Sequence, residues 1–337
     1  MNNSKPNLVI TMGDPAGIGP EICLKALNSD YVKKHCCPIL FGDFDVLTKV
    51  ASLNNLSLDH QTIALSDFDK NQSFVKKPTI VDFSNVLVNS LKPGRVNANS
   101  GKSSFDYLQY AIKYANAGLV DGIVTAPINK YALKLAGVNY PGHTEILKKY
   151  SNSKDVCMML SSDKISCSLV TAHVGLSEVP GLLGINNIYR VIKLTHSAIK
   201  SLKGKSSSSI TIGVLALNPH GGENGLFGQN EENKFIKPAI EKAKSDGIRA
   251  LGPLVPDTAF VESNLQSIDA FVCMYHDQGL IPLKTLAFNS AINITLGLPI
   301  IRTSVDHGTA LDIAWKGLAD TKSLYHAIKV ASKLSKS

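Results

Sequence analysis

Three histidines stand just beyond short apolar, β-branched runs: Ile165–Thr171 leads to His173, Ile210–Leu217 to His220, and Ala270–Met274 to His276. In open α/β sheets ligands bind at the carboxyl ends of the strands, so imidazoles distant in sequence can converge there. Three imidazoles with an open position form a catalytic divalent-cation site able to polarise an alcohol or carbonyl oxygen. A single histidine in a loop is more often structural, and no HExxH motif is present. Repetition at three strand ends carries the expectation of a metal site at His173, His220 and His276.

A second set of residues suits anions. Tyr140-Pro141-Gly142-His143-Thr144-Glu145 precedes an apolar-periodic stretch, which predicts a helix over Glu145–Lys149 with Thr144 as N-cap; exposed N–H groups at such a start attract phosphate or carboxylate. Lys284, Asn293 and Arg302 add a point charge, an amide and a planar fork. Gly13-Asp14-Pro15-Ala16-Gly17-Ile18-Gly19-Pro20-Glu21 follows the first apolar run. It is neither a GxGxxG dinucleotide loop nor a P-loop, so a tight strand-to-helix turn is the reading it supports alone. Asp306 to Gly317 contains small residues that could seat a flat ring before a helix, with Thr309 as cap.

Elements must carry these groups to one place. Leu8–Thr11, Pro38–Phe41, Gly122–Thr125 and Ile292–Leu296 join the three histidine-bearing runs as predicted strands. They alternate with helical stretches at Ser104–Ala117, Asn187–Leu202, Glu231–Asp246 and Ser323–Lys333, which predicts an α/β protein. Continuously apolar strands imply a sheet covered on both faces. With 337 residues the chain is long enough for two lobes and a cleft. Composition narrows the class: 44% hydrophobic and 18% charged residues describe a globular chain. The net charge of +8 is dispersed, with no basic block that would suggest nucleic acid. No apolar run is long enough to span a bilayer, and Met1-Asn2-Asn3-Ser4-Lys5-Pro6 does not open a signal peptide. Six cysteines without a CxxC pair are expected as reduced thiols in the cytoplasm. Lys203–Ser209 reads as an exposed loop.

The segments GDPAGIGPE (13–21), TAPINK (125–130), GHTE (142–145), the Ala-His pair at 172–173, LNPHGGE (217–223), GPLVPDT (252–258), YHDQGL (275–280) and NITLGLPIIRTSVDHGTALDIA (293–314) together resemble the 4-hydroxythreonine-4-phosphate dehydrogenase family of pyridoxal-phosphate biosynthesis, over nearly the whole chain. The last segment also resembles the adenine-side loop of isocitrate and isopropylmalate dehydrogenases. The resemblance implies their fold: two α/β lobes with a cleft between them, the first from residues 1–125 plus 290–337 and the second from 126–289. It implies His173, His220 and His276 as ligands of zinc, magnesium, cobalt or manganese, one of them supplied across a homodimer interface that holds the active site. His143, Thr144, Lys284, Asn293 and Arg302 would contact substrate and its phosphate. Gly13, His307, Gly308, Thr309 and Asp312 would hold NAD or NADP. Asp257 and Asp277 would handle protons or orient a metal-bound histidine.

By the same resemblance the substrate is 4-phosphooxy-L-threonine, oxidised at its C3 hydroxyl; the 3-oxo acid then loses CO2 to give 3-amino-2-oxopropyl phosphate. Four rivals stand beside this reading, the lowest ranked being a non-catalytic metal- or phosphate-binding protein, since nothing in the motif set is broken. A sister dehydrogenase would take erythronate or threonate 4-phosphate. A decarboxylating dihydrodiol dehydrogenase is disfavoured by Lys284 and Arg302. A phosphate acyltransferase of related fold would need neither nicotinamide nor a three-histidine site.

Overall fold

The computed structural model describes residues 5–70, 75, 77–204 and 206–336. Residues 1–4 of the leader reading and Lys205 of the serine-rich loop lie outside that set. Among the described residues the strands, in chain order, are Asn7–Thr11 (β1), Cys37–Gly42 (β2), Gln61–Ala64 (β3), Thr79–Asp82 (β4), Gly122–Thr125 (β5), Cys157–Ser161 (β6), Ser166–Leu169 (β7), Thr211–Leu215 (β8), Arg249–Leu254 (β9), Ala270–Cys273 (β10), Ile292–Leu296 (β11) and Arg302–Val305 (β12).

The chain forms two compact units, Met1–Asp155 with Leu298–Lys336, and Val156–Gly297. Unit 1 orders its strands β3-β4-β2-β1-β5-β12, all parallel. Its centre is dry: Leu8, Val9 and Ile10 of β1 are fully buried, each contributing roughly 1.5–3 kcal/mol by leaving water. The long helix Ala98–Asn116 starts where Asn97 accepts the Ser100 N–H at 2.8 Å. Residues 126–155, expected in the second lobe, belong to unit 1, and 290–297, expected in the first, belong to unit 2; Ala132 and Tyr150 of the former stretch pack on this helix. A Cβ at Gly101 would lie 2.1 Å from the Ala132 carbonyl oxygen, and the Phe105 and Tyr150 rings meet at 5.8 Å.

Unit 2 orders its strands β11-β6-β7-β10-β8-β9, antiparallel at β11/β6 and β6/β7 and parallel from β7 onward. The helix Ile185–Lys203 buries Ile188, Val191, Ile192, Thr195 and Ile199, the three-to-four spacing of one face. Left-handed Gly204 ends it. No helix among the described residues is long and apolar enough to cross a membrane.

Candidate active site

In unit 1, β1, β5 and β12 are neighbours and parallel, so the loops after Thr11, Thr125 and Val305 leave one edge. Gly13 sits there with φ +70°, and its missing side chain is essential: a Cβ would lie 2.3 Å from the Pro127 carbonyl oxygen. The Asp14 N–H donates to that oxygen at 2.9 Å. Asp14 is itself fully buried, accepts the Ala16 N–H at 2.9 Å, and is held above the usual carboxylate range by burial.

Arg302 is 3% exposed, and its Nη2 donates to Thr125 Oγ1 at 2.8 Å. Burial pulls its guanidinium down to about 9, which leaves it charged at neutral pH. His143 opens the helix His143–Tyr150; its ring Nε2 is sealed from solvent without a hydrogen-bond partner, although the residue as a whole is half-buried. Desolvation first, then the charges of Arg302 and Lys130, hold this imidazole well below its ordinary value and therefore neutral. A cavity of about 200 Å³ is lined by Thr125, Lys130, Gly142, His143, Ser304 and His307 among others. Lys130 begins a helix whose cap, Asn129, accepts the Tyr131 and Ala132 N–H groups. Two cations beside a neutral imidazole form a cup for an anion. Thr125 and Lys130 were not singled out from sequence, although the TAPINK segment at the end of β5 was the available signal.

Thr144 lies in the first turn of its helix instead of capping it. Gly142 is the N-cap, in extended conformation, so the helix begins earlier than the polar side chain suggested. The expected helix within Asp306–Gly317 is likewise replaced by irregular chain with one 3₁₀ turn, Leu311–Ile313, because Ala310 (φ 41°) and Trp315 (φ 63°) are left-handed. Gly308 and Asp312 are exposed, Thr309 is half-buried, and a Cβ at Gly308 would meet nothing within 4 Å. His307 Nδ1 donates to the Gly308 carbonyl at 3.1 Å, leaving Nε2 buried and unpartnered. An open backbone ledge beside a polar ring fits a flat, hydrogen-bonding ligand such as a dinucleotide base.

In unit 2 the histidine-bearing strands β7, β10 and β8 are neighbours and parallel. The end of β7 is tied to the end of β10 by Thr171, whose N–H and Oγ1 both donate to the Met274 carbonyl, at 3.2 and 2.8 Å. Buried Gln278 ties β10 to β8: its Oε1 accepts the Met274 N–H and its Nε2 donates to the Ala216 carbonyl, both at 2.7 Å. The His173 and His276 rings then face each other with centroids 5.7 Å apart, on a cavity of about 400 Å³. His276 Nδ1 lies 2.7 Å from Asp277 Oδ1. A carboxylate can only accept, so Nδ1 carries a proton and Nε2 is the ring nitrogen left to face a ligand. These donors fit a divalent cation.

His220 occupies the exposed turn Pro219–Gly225, left-handed at φ 53°, beside Phe227. Buried Glu232 anchors the preceding chain by accepting the Leu217 and Asn218 N–H groups at 3.0 and 2.8 Å. Among the described residues no three His, Cys, Asp or Glu side chains of this one chain come together as a metal requires. The three-histidine cluster is therefore not formed within the single chain. Lys284 lies on the helix His276–Ala287; Asn293 lies on β11 with its Oδ1 buried and unpartnered; Asp257 is exposed.

Each unit thus carries polar, chemically competent side chains in its strand-end loops, and the relatives make the protein an enzyme of the dehydrogenase class. Residues 34–331 match the family described as pyridoxal phosphate biosynthetic protein PdxA, and the chain belongs to that family. A 4-hydroxythreonine-4-phosphate dehydrogenase from Desulforapulum autotrophicum is 43% identical over 98% of this chain and 96% of the relative. A D-threonate 4-phosphate dehydrogenase from Pectobacterium atrosepticum is 40% identical over 97% and 99%. The crystal structure of a Klebsiella pneumoniae 4-hydroxythreonine-4-phosphate dehydrogenase matches with a TM-score of 0.84 at 36% identity, covering 98% of this chain and all of that one.

Proposed function

We propose that the protein oxidises 4-phosphooxy-L-threonine at its C3 hydroxyl with NAD or NADP, yielding a 3-oxo acid that decarboxylates to 3-amino-2-oxopropyl phosphate. Within a family of this description, the observation that carries the reading is the cationic cup of Arg302, Lys130 and neutral His143. Such a cup binds a phosphorylated substrate through charge-assisted hydrogen bonds. Thr144, Lys284 and Asn293 are further substrate contacts implied by the family resemblance. His307, Gly308, Thr309 and Asp312 take the dinucleotide, with Gly13 shaping the turn behind them.

His173, His220 and His276 hold the divalent cation, one of them contributed by a second copy of the chain. Exposed apolar residues beside the histidines, Val174 and Leu176 in one loop and Leu226 and Phe227 in the other, support burial of this surface in a homodimer. Bound there, the cation supplies Lewis acidity at the reacting oxygen, and a nicotinamide supplies the hydride acceptor. Asp277 keeps His276 in one tautomer. Exposed Asp257 is available to exchange protons with substrate or water. Six free cysteines accord with the cytoplasm.

The D-threonate relative favours a second reading, in which threonate or erythronate 4-phosphate is the substrate. Both readings are tested by following NAD and NADP reduction by metal-supplemented protein with each of the three phosphate esters. Selective turnover of the threonine ester establishes the first reading. Selective turnover of a sugar acid moves the same chemistry to another substrate, and no reduction with any of them removes the dehydrogenase reading.

A further inference from the structure

We propose that Glu21 is a positioning residue for dinucleotide binding, acting with Lys25 as a clasp that shapes residues 309–319. The proposal rests on reading His307 to Asp312 as the dinucleotide ledge. Glu21 and Lys25 stand one turn apart on the helix Gly19–Asn28, where side chains at i and i+4 meet. Glu21 is fully buried. Its Oε1 accepts Lys25 Nζ at 2.7 Å and the Ala319 N–H at 3.0 Å, while Oε2 accepts the Gly317 N–H at 3.0 Å. Lys25 Nζ also donates to the Gly317 and Ala319 carbonyls at 3.1 and 3.2 Å. The ion pair thus satisfies both the N–H and the C=O of two residues in irregular chain, groups that no sheet or α-helix serves.

The far end of the segment is clamped to the same helix start. The Ile18 N–H donates to the Thr309 carbonyl at 3.0 Å, and a Cβ at Gly17 would lie 2.8 Å from that oxygen. Between the clamps, Trp315 Nε1 donates to the Pro15 carbonyl at 3.0 Å. The glycine-rich motif therefore works as a template on which the ledge is cast. A ledge shaped before the ligand arrives spares the ordering cost that binding would otherwise incur, so the clasp belongs to affinity for the dinucleotide and not to the chemical step.

Trp315 is the single tryptophan of the chain and lies inside the clasped segment, so its emission reports on the ledge without any reaction. The test titrates the intact protein with NADH and NADPH, following Trp315 fluorescence and, in parallel, heat of binding. The variants are Glu21→Gln, which keeps the shape and loses the charge, and Lys25→Met, which keeps the apolar stem and decides the question if the first does not fold. Expected is a dinucleotide Kd raised about tenfold in either variant. The kcat at saturating dinucleotide and the KM for the phosphorylated substrate should stay within about twofold of the unsubstituted protein. Unchanged dinucleotide affinity overturns the proposal, and so does a parallel loss in kcat and both KM values, which would mark a merely structural role. If the unsubstituted protein itself binds neither dinucleotide, the ledge reading fails first and the proposal falls with it.

Discussion

The two units solve the same problem with opposite surfaces. Each ends three adjacent parallel strands at one sheet edge. Unit 1 closes that edge around its cup and leaves open only the ledge at Gly308: Arg302 is buried, His143 Nε2 is sealed, and the loops bond to one another through Pro127 and Thr309. Unit 2 leaves its edge open, with His173 and His220 exposed and both in left-handed conformations. For a non-glycine residue such a conformation costs on the order of 1–3 kcal/mol and persists where the surroundings enforce it, commonly at functional sites. The contrast teaches that one scaffold edge can bury its polar groups within a single chain while another presents its imidazoles to solvent.

The sharpest way to break this comparison is at the open edge. His276→Ala, and His220→Ala likewise, should lose bound metal and lower kcat by at least about 10²–10³-fold while the circular dichroism spectrum stays native. Full activity in stringently metal-free buffer would refute the metal reading. At the closed edge, Arg302→Ala removes a charge-assisted contact of roughly 1.5–3 kcal/mol, so kcat/KM for the phosphorylated substrate should fall about 10- to 100-fold, mostly through KM. An unchanged KM with unchanged turnover would count against the phosphate cup.

Asp277→Asn tests orientation more gently. Metal affinity should weaken about 10- to 100-fold, read by competition with a chelating dye, and equal affinity would leave the 2.7 Å contact without consequence for metal binding. The smallest effect should be in acid stability. The folded protein holds His143 below the ordinary 6.5, so the unfolded chain binds the extra proton as pH drops from about 6.5 toward the folded value. Stability is therefore fully present above that window and is lost as pH falls through it. His143→Asn should flatten this part of the melting-temperature profile, and an identical slope in the variant would reassign it to other groups.

Much of this organisation is legible from residue types alone, where the local pattern and the buried environment agree. Runs such as Leu8–Thr11 and Ala270–Met274 announce buried strands, and each histidine does follow a strand of one parallel set. Strand β12 escaped because Arg302-Thr303-Ser304-Val305 reads polar, yet every residue of it is buried; its polarity serves the cup. Strand β3 alternates on a half-exposed edge over only four residues, and β9 carries Gly252-Pro253, both weak strand signals. The latches escaped for another reason. Gln278, Glu232 and Glu21 bond to main-chain groups brought near only by the fold, and no spacing in the sequence encodes such a partner.

Gln278 carries a last consequence. It accepts a hydrogen bond from one strand end and donates one to the next in the same buried spot. A carboxylate there would set oxygen against the Ala216 carbonyl, an ammonium would set hydrogen against the Met274 N–H, and an aliphatic chain would serve neither. A carboxamide offers both polarities at the end of one flexible stem, and asparagine is one methylene too short for the same reach. The ladder between the strands that lead to His276 and His220 is thus continued past its last backbone rung by a single side chain that works in both directions at once.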